Sequence, residues 1–163
     1  MELSSLFQID FPKKVLTNVK QGLLNWTAQG TGVKQYGEIR QPYPTENAYF
    51  SNNKHVAGMA AADNKIVLNP YSSNTPAQQR QVAKNEGVRL YLRDNPNTLS
   101  NFKLTDQQKE KFKGYSSNVN DVRSTIMARA ITGDKSAGNL TMEQAINALR
   151  IRQSINRGVK KWN

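Results

Sequence analysis

Apolar side chains at Val15, Val19, Leu23 and Trp26 recur every three or four residues, the spacing that lines one side of a helix. Pro12 just ahead suits a helix start, so an N-terminal helix is expected within residues 1–27. From residue 28 to 54 the period fades and Gly, Pro, Asn and Thr take over. Pro42 and Pro44 favour extended backbone. This stretch reads as an extended arm with a short strand near Glu38–Arg40, and its length suits contact with a partner. Two short apolar runs follow, Val56–Ala62 and Lys65–Asn69, on either side of Asp63-Asn64. Asx residues tolerate positive φ, so residues 55–70 predict a tight β-hairpin closed at Asn69-Pro70.

The helical period then dominates residues 75–157. Thr75-Pro76-Ala77-Gln78 has the form of a capping box with Pro at the first helical position. The helix it opens should run to about Asp94, before Pro96. Thr105-Asp106-Gln107-Gln108 is a second box, starting a short helix that ends near Gly114. Asn118 can cap a third helix with an inward stripe of Val119, Val122, Ile126 and Ala130, ended by Gly133. Thr141-Met142-Glu143-Gln144 opens a terminal helix with Met142, Ala145, Ile146, Leu149 and Ile155 turned inward. The expected fold is α+β: one mainly helical domain over residues 1–163, with four to five helices, a small β-hairpin and an extended N-terminal arm.

Composition narrows the function classes. A chain of 163 residues fits one domain. No cysteine is present, which removes disulfides, thiol nucleophiles and Cys-based zinc sites together. No apolar run is long enough to cross a membrane, and the start Met1-Glu2-Leu3-Ser4-Ser5 shows no secretory signal. Net charge is +11, and residues 101–163 hold twelve basic against five acidic side chains. From Arg150 onward come Arg150, Arg152, Arg157, Lys160 and Lys161 with no acid, a candidate polyanion-binding face. Tyr36, Tyr43, Tyr49 and Phe50 gather around the Pro-rich arm. They are candidates for docking it onto a neighbour or onto the domain's own surface, with stacking on nucleic-acid bases as the alternative.

Catalytic chemistry finds little support. Asn85-Glu86-Gly87-Val88-Arg89 has the spacing of the metallopeptidase pattern H-E-x-x-H. Asn85 and Arg89 stand where both His ligands would be, and a permanent guanidinium cation has no lone pair for zinc. The residues favour a structural ion pair of Glu86 with Arg89 or Arg93 on one helix face; the alternative is an inactive metallopeptidase-like scaffold. His55 is the one histidine, without an identifiable triad. Gly133-Asp134-Lys135-Ser136-Ala137-Gly138-Asn139 lacks phosphate-loop spacing and reads as a helix–helix connector. No catalytic residue, metal or cofactor is expected.

Three stretches together carry a resemblance. They are residues 55–72 (His55-Val56-Ala57-Gly58 through Leu68-Asn69-Pro70-Tyr71-Ser72), Asn85-Glu86-Gly87-Val88-Arg89, and Ile131-Thr132-Gly133-Asp134-Lys135-Ser136-Ala137-Gly138-Asn139. They resemble a set of small uncharacterised proteins of tailed bacteriophages, above all short-tailed ones, over about residues 45–145. That resemblance implies a phage origin and association with the virion, and transfers no functional residue. The expectation is a non-enzymatic virion-associated structural or interaction protein, with its basic C-terminal face toward DNA or an acidic protein. The expected partners are other virion proteins, nucleic acid without sequence preference, and copies of itself in an oligomer or ring, with no membrane. The expected location is the virion, and the host cytoplasm during assembly. A soluble DNA-binding or host-directed phage accessory protein is the alternative.

Overall fold

The computed structural model describes residues 32–158. The helix expected within residues 1–27, together with Lys160 and Lys161, lies outside them. Strands β1 (Ile39–Arg40), β2 (Gly58–Ala60) and β3 (Ile66–Leu68) are joined by helices α1 (Pro44–Asn52), α2 (Pro76–Asp94), α3 (Asp106–Lys111), α4 (Val119–Ile131) and α5 (Met142–Gly158). Short 3-10 turns lie at Pro96–Leu99 and Lys135–Ala137. The fold is α+β and mainly helical. The chain divides into two compact units, Val33–Asn101 with the end of α5 from Ile155, and Phe102–Ser154 with Gly32.

In the first unit the sheet runs β1-β3-β2. β2 and β3 form the expected antiparallel hairpin, with Met59 opposite Val67. Ala61 and Lys65 close it through a 2.8 Å bond, and Asn64 takes φ 61°. A side-chain amide next to its own backbone is what makes that left-handed conformation tolerable. β1 adds in parallel on the other side of β3, with Ile39 opposite Ile66. The middle strand reads Ile66-Val67-Leu68, apolar without alternation, because both its faces are covered. Val67 packs with Phe50 of α1 and Ala61. Ile66 packs with Ala83 and Leu90 of α2.

The extended arm expected over residues 28–54 needs correction in its second half, where residues 44–52 are helical. Pro44 presets the first turn, and Glu46 Oε1 accepts from the Tyr43 N–H at 2.8 Å. Only Phe50 of α1 is buried, so one apolar anchor rather than a stripe holds it, and no period shows in the sequence. Upstream, the chain crosses α2 at Gly87, where a β-carbon would stand 2.7 Å from the Tyr36 carbonyl oxygen. Glycine is required there by close approach of two backbones.

The helix starts of residues 75–157 follow the sequence signals closely. Thr75 Oγ1 accepts from Gln78 N at 3.2 Å, and Gln78 Oε1 from Thr75 N at 2.8 Å. Asn118 caps α4 through the Asn120 N–H. Beyond α4, Gly133 adopts φ 78° and Asp134 N–H reaches the Arg129 carbonyl at 2.8 Å, a left-handed stop. Two stripes shift. Val119 is exposed, whereas Met127 and Ile131 are buried with Val122, Ile126 and Ala130. On α5 the buried positions are Gln144, Ala145, Ala148, Ile151 and Ile155, and Met142, Ile146 and Leu149 are only partly covered.

Candidate nucleic-acid interface

The C-terminal unit is organised around two glutamines that each close a capping box. Gln108 Oε1 accepts from Thr105 N at 2.9 Å, and Gln144 Oε1 accepts from Thr141 N at 3.0 Å. The two amides also bond each other: Gln108 Nε2 donates to Gln144 Oε1 at 2.7 Å, and Gln144 Nε2 to Gln108 Oε1 at 2.9 Å. Their remaining N–H groups go to the Asn139 and Lys103 carbonyls. All donors and acceptors of this buried amide pair are used, which is the condition for placing polar groups in a core. The starts of α3 and α5 are thereby tied together.

On this frame the unit carries an excess of cations. The ion pairs formed among the described residues, Arg40–Glu46, Arg40–Asp63, Lys65–Glu38 and Arg89–Glu86, all fall in the other unit. Residues 102–154 hold nine basic and five acidic side chains. Lys103, Lys109, Lys111, Lys113, Lys135 and Arg150 are exposed. Around α3, Gln108 and Phe112 turn inward, leaving Lys109 and Lys111 on its two flanks by the helical step. Lys111 lies along the connector, with its Cδ 3.3 Å from the place of a β-carbon on Gly138. Arg129 lies over two rings, its Cζ 5.4 Å from the Phe112 centroid and 5.7 Å from that of Tyr115. The rings meet edge to face at 5.9 Å, and Thr125 Oγ1 donates to the Tyr115 hydroxyl at 3.3 Å. Tyr115 remains 48% exposed.

The terminal-helix arginines do not share one face. Arg150 and Arg157 are exposed and stand seven positions apart in the sequence of α5. Arg152 is turned about 200° away from Arg150 by the helical step. It lies against Gly32, where a β-carbon would meet its Nη2 at 2.6 Å, and burial pushes its pKa below the usual arginine value. Arg152 is thus drawn inward, a correction to the expected single basic face.

The aromatic residues of the arm separate in the same way. Phe50 is fully buried against Val67 and Ala61, so it fastens the arm to its own unit and offers nothing to a partner. Tyr36 meets Tyr91 edge to face at 5.4 Å and donates to Asp94 Oδ2 at 3.0 Å. Burial, reinforced by Asp94, pushes its pKa up to about 12. Tyr43 and Tyr49 stay exposed. Tyr43 lies under Arg40, 3.8 Å from the ring centroid. Arg40 holds Glu46 through two bonds of 2.7 and 2.9 Å and Asp63 through its Nε at 2.8 Å, joining β1, α1 and the hairpin turn.

Glu86 lies on α2 with its side chain 14% exposed and Arg89 Nε 3.7 Å away. Burial raises its pKa above the ordinary carboxylate value, against the pull of Arg89, of a backbone hydrogen bond at Ala60 and of Arg93. Arg93 donates to the Ala61 carbonyl at 2.6 Å and to that of Ala60 at 3.4 Å. Glu86 and Arg93 together engage the backbone of Ala60 at the end of the edge strand β2, side-chain cover of a kind that blunts a sheet edge. Among the described residues no three His, Asp or Glu side chains gather in a metal-binding group.

Protein-family models, curated proteins and solved structures all gave no match to this chain. The lysines of the C-terminal unit and the Arg129–Tyr115 pair were not singled out from the sequence. One signal for them exists: Lys109-Glu110-Lys111-Phe112-Lys113-Gly114-Tyr115 alternates cations with aromatics, a pattern suited to nucleic-acid contact.

Proposed function

We propose that the protein is a non-catalytic, virion-associated phage protein whose C-terminal unit contacts the backbone of nucleic acid without sequence preference. The observation that carries the contact is the set of exposed cations outside any ion pair among the described residues: Lys103, Lys109, Lys111, Lys113, Lys135 and Arg150. Five of the six are lysines, a residue type depleted from protein–protein interfaces but well suited to neutralising phosphates. This favours nucleic acid over an acidic protein face. The phage particle rests on the sequence resemblance alone.

The test is binding to a random-sequence duplex across a salt series. Three to five neutralised phosphates should make log affinity fall with log salt at a slope of about −3 to −4.5. Replacing Lys109, Lys111, Lys113 and Lys135 by Ala should flatten the slope by about 0.9 for each phosphate no longer neutralised and leave the melting temperature close to that of the parent. No binding at low salt, or an unchanged slope in the variant, overturns the reading. Mass spectrometry of purified particles tests the virion half, which requires the chain at a fixed copy number.

A further inference from the structure

Arg129, Tyr115 and Phe112 form a cluster of one cation and two rings. Arg129 is half-buried on α4 and lies over two aromatic rings. Among the described residues it has no carboxylate partner. A guanidinium within cation–π reach of two rings is biased toward their side, and its fork of N–H donors suits a planar or tetrahedral anion. The Tyr115 ring is held by its edge-to-face contact with Phe112 and by the Thr125 hydroxyl, yet it is 48% exposed. An oriented, exposed aromatic ring beside an arginine offers a base a stacking surface and its phosphate a partner. Lys113 stands two residues before Tyr115 in the chain and is exposed.

We infer that Tyr115 and Arg129 form a seat for one unpaired nucleotide, the base stacking on Tyr115 and the phosphate on Arg129, so that the C-terminal unit takes single-stranded nucleic acid in preference to duplex. This rests on the nucleic-acid reading above and sharpens it. A paired base presents no free face to Tyr115 inside a duplex, whereas every unpaired base does, and stacking of this kind is tolerant of sequence.

The experiment compares the full chain and its variants on a polythymidine strand and on a duplex of equal length. Tyr115→Ala should weaken single-strand binding about tenfold and change duplex binding by less than about twofold. Tyr115→Leu, which keeps an apolar side chain on Phe112 without an aromatic face, should be weakened to the same degree, and Tyr115→Phe should bind as the parent does. Arg129→Lys, which keeps the charge and removes the fork, should weaken single-strand binding more than duplex binding. A strand carrying 5-bromouracil should crosslink at Tyr115 on irradiation, as read by peptide mass spectrometry. If Tyr115→Ala and Tyr115→Leu bind the strand as the parent does, the seat is wrong. The four-lysine variant then reports separately on the broader reading: loss of both strand and duplex binding leaves the backbone interaction standing. A parent that binds neither strand nor duplex overturns both.

Discussion

Glu86 shows how one residue can carry a catalytic-looking pattern and do structural work. Its carboxylate is largely withdrawn from water, with Arg89 3.7 Å away, and it is bonded by the backbone at Ala60. Desolvation disfavours its charged form and outweighs these attractions, so its pKa in the folded chain lies above the ordinary value. The sign follows from proton linkage. A carboxyl whose folded pKa is raised contributes stability that is fully present below its unfolded pKa, near 4.3, and is lost as pH rises through the folded value. At neutral pH the ionised group is therefore a net cost to folding. Glu86→Gln keeps an oxygen for the Ala60 backbone and sheds the charge. It should be more stable than the parent at pH 7, with the difference closing as pH falls toward about 4. Urea midpoints of parent and variant across that range measure it. A variant less stable than the parent at pH 7 would mean that Arg89 and Arg93 win over desolvation.

At the scale of elements, what the sequence makes legible is what local chemistry decides. Thr75-x-x-Gln78, Thr105-x-x-Gln108 and Thr141-x-x-Gln144 each place a hydroxyl and an amide where the helix start needs them, and each bonds as its spacing dictates. α1 is not legible in the same way: its N-cap is Tyr43, which supplies no side-chain cap, its anchor is the lone Phe50, and only the return bond from Tyr43 N–H to Glu46 is made. β1 is expected only as a short strand, since its parallel pairing to β3 joins residues far apart in the chain, which no local pattern encodes. The coupling of two boxes through Gln108 and Gln144 is equally non-local, and it sets up a measurable quantity. Gln108→Ala removes two partners from Gln144 and leaves one amide N–H and one oxygen lone pair unmatched beside the bonds it keeps to Lys103 and Thr141, at a cost of about 1–3 kcal/mol. Gln144→Ala does the converse. The double variant strands neither amide, so its cost should fall short of the sum of the singles by about 0.5–3 kcal/mol. Additive effects in denaturant unfolding would show that the amides act only as separate caps.

Across the whole molecule, charge is arranged differently in the two units, and each should answer salt in its own way. In residues 33–101 the Arg40 group and the Lys65–Glu38 pair match opposite charges at 2.5–2.9 Å. In residues 102–154 the exposed cations have no ion-pair partner among the described residues. The sequence shows the net excess toward the C-terminus. It does not show which charges are cancelled in space, because Arg40 meets Asp63 only once the hairpin is built, and Arg152 turns inward only once α5 lies against Gly32. Raising ionic strength from about 10 mM to about 150 mM shortens the screening length from about 30 Å to about 8 Å. Repulsion among Lys103, Lys109, Lys111, Lys113 and Lys135 then weakens, while attraction within the Arg40 group weakens too. Amide hydrogen exchange should become slower in α3 and α4 and unchanged or faster in β1 and α1. The same trend should strengthen when sulfate replaces chloride at equal ionic strength, since a divalent oxyanion can neutralise neighbouring lysines as phosphates would. Four substitutions, Lys109, Lys111, Lys113 and Lys135 to Ala, should abolish the slowing in α3 and α4 and leave β1 and α1 responding as before. Uniform salt effects in both units, or slowing that survives the four substitutions, would show that the unpaired lysines exert no measurable self-repulsion on the fold.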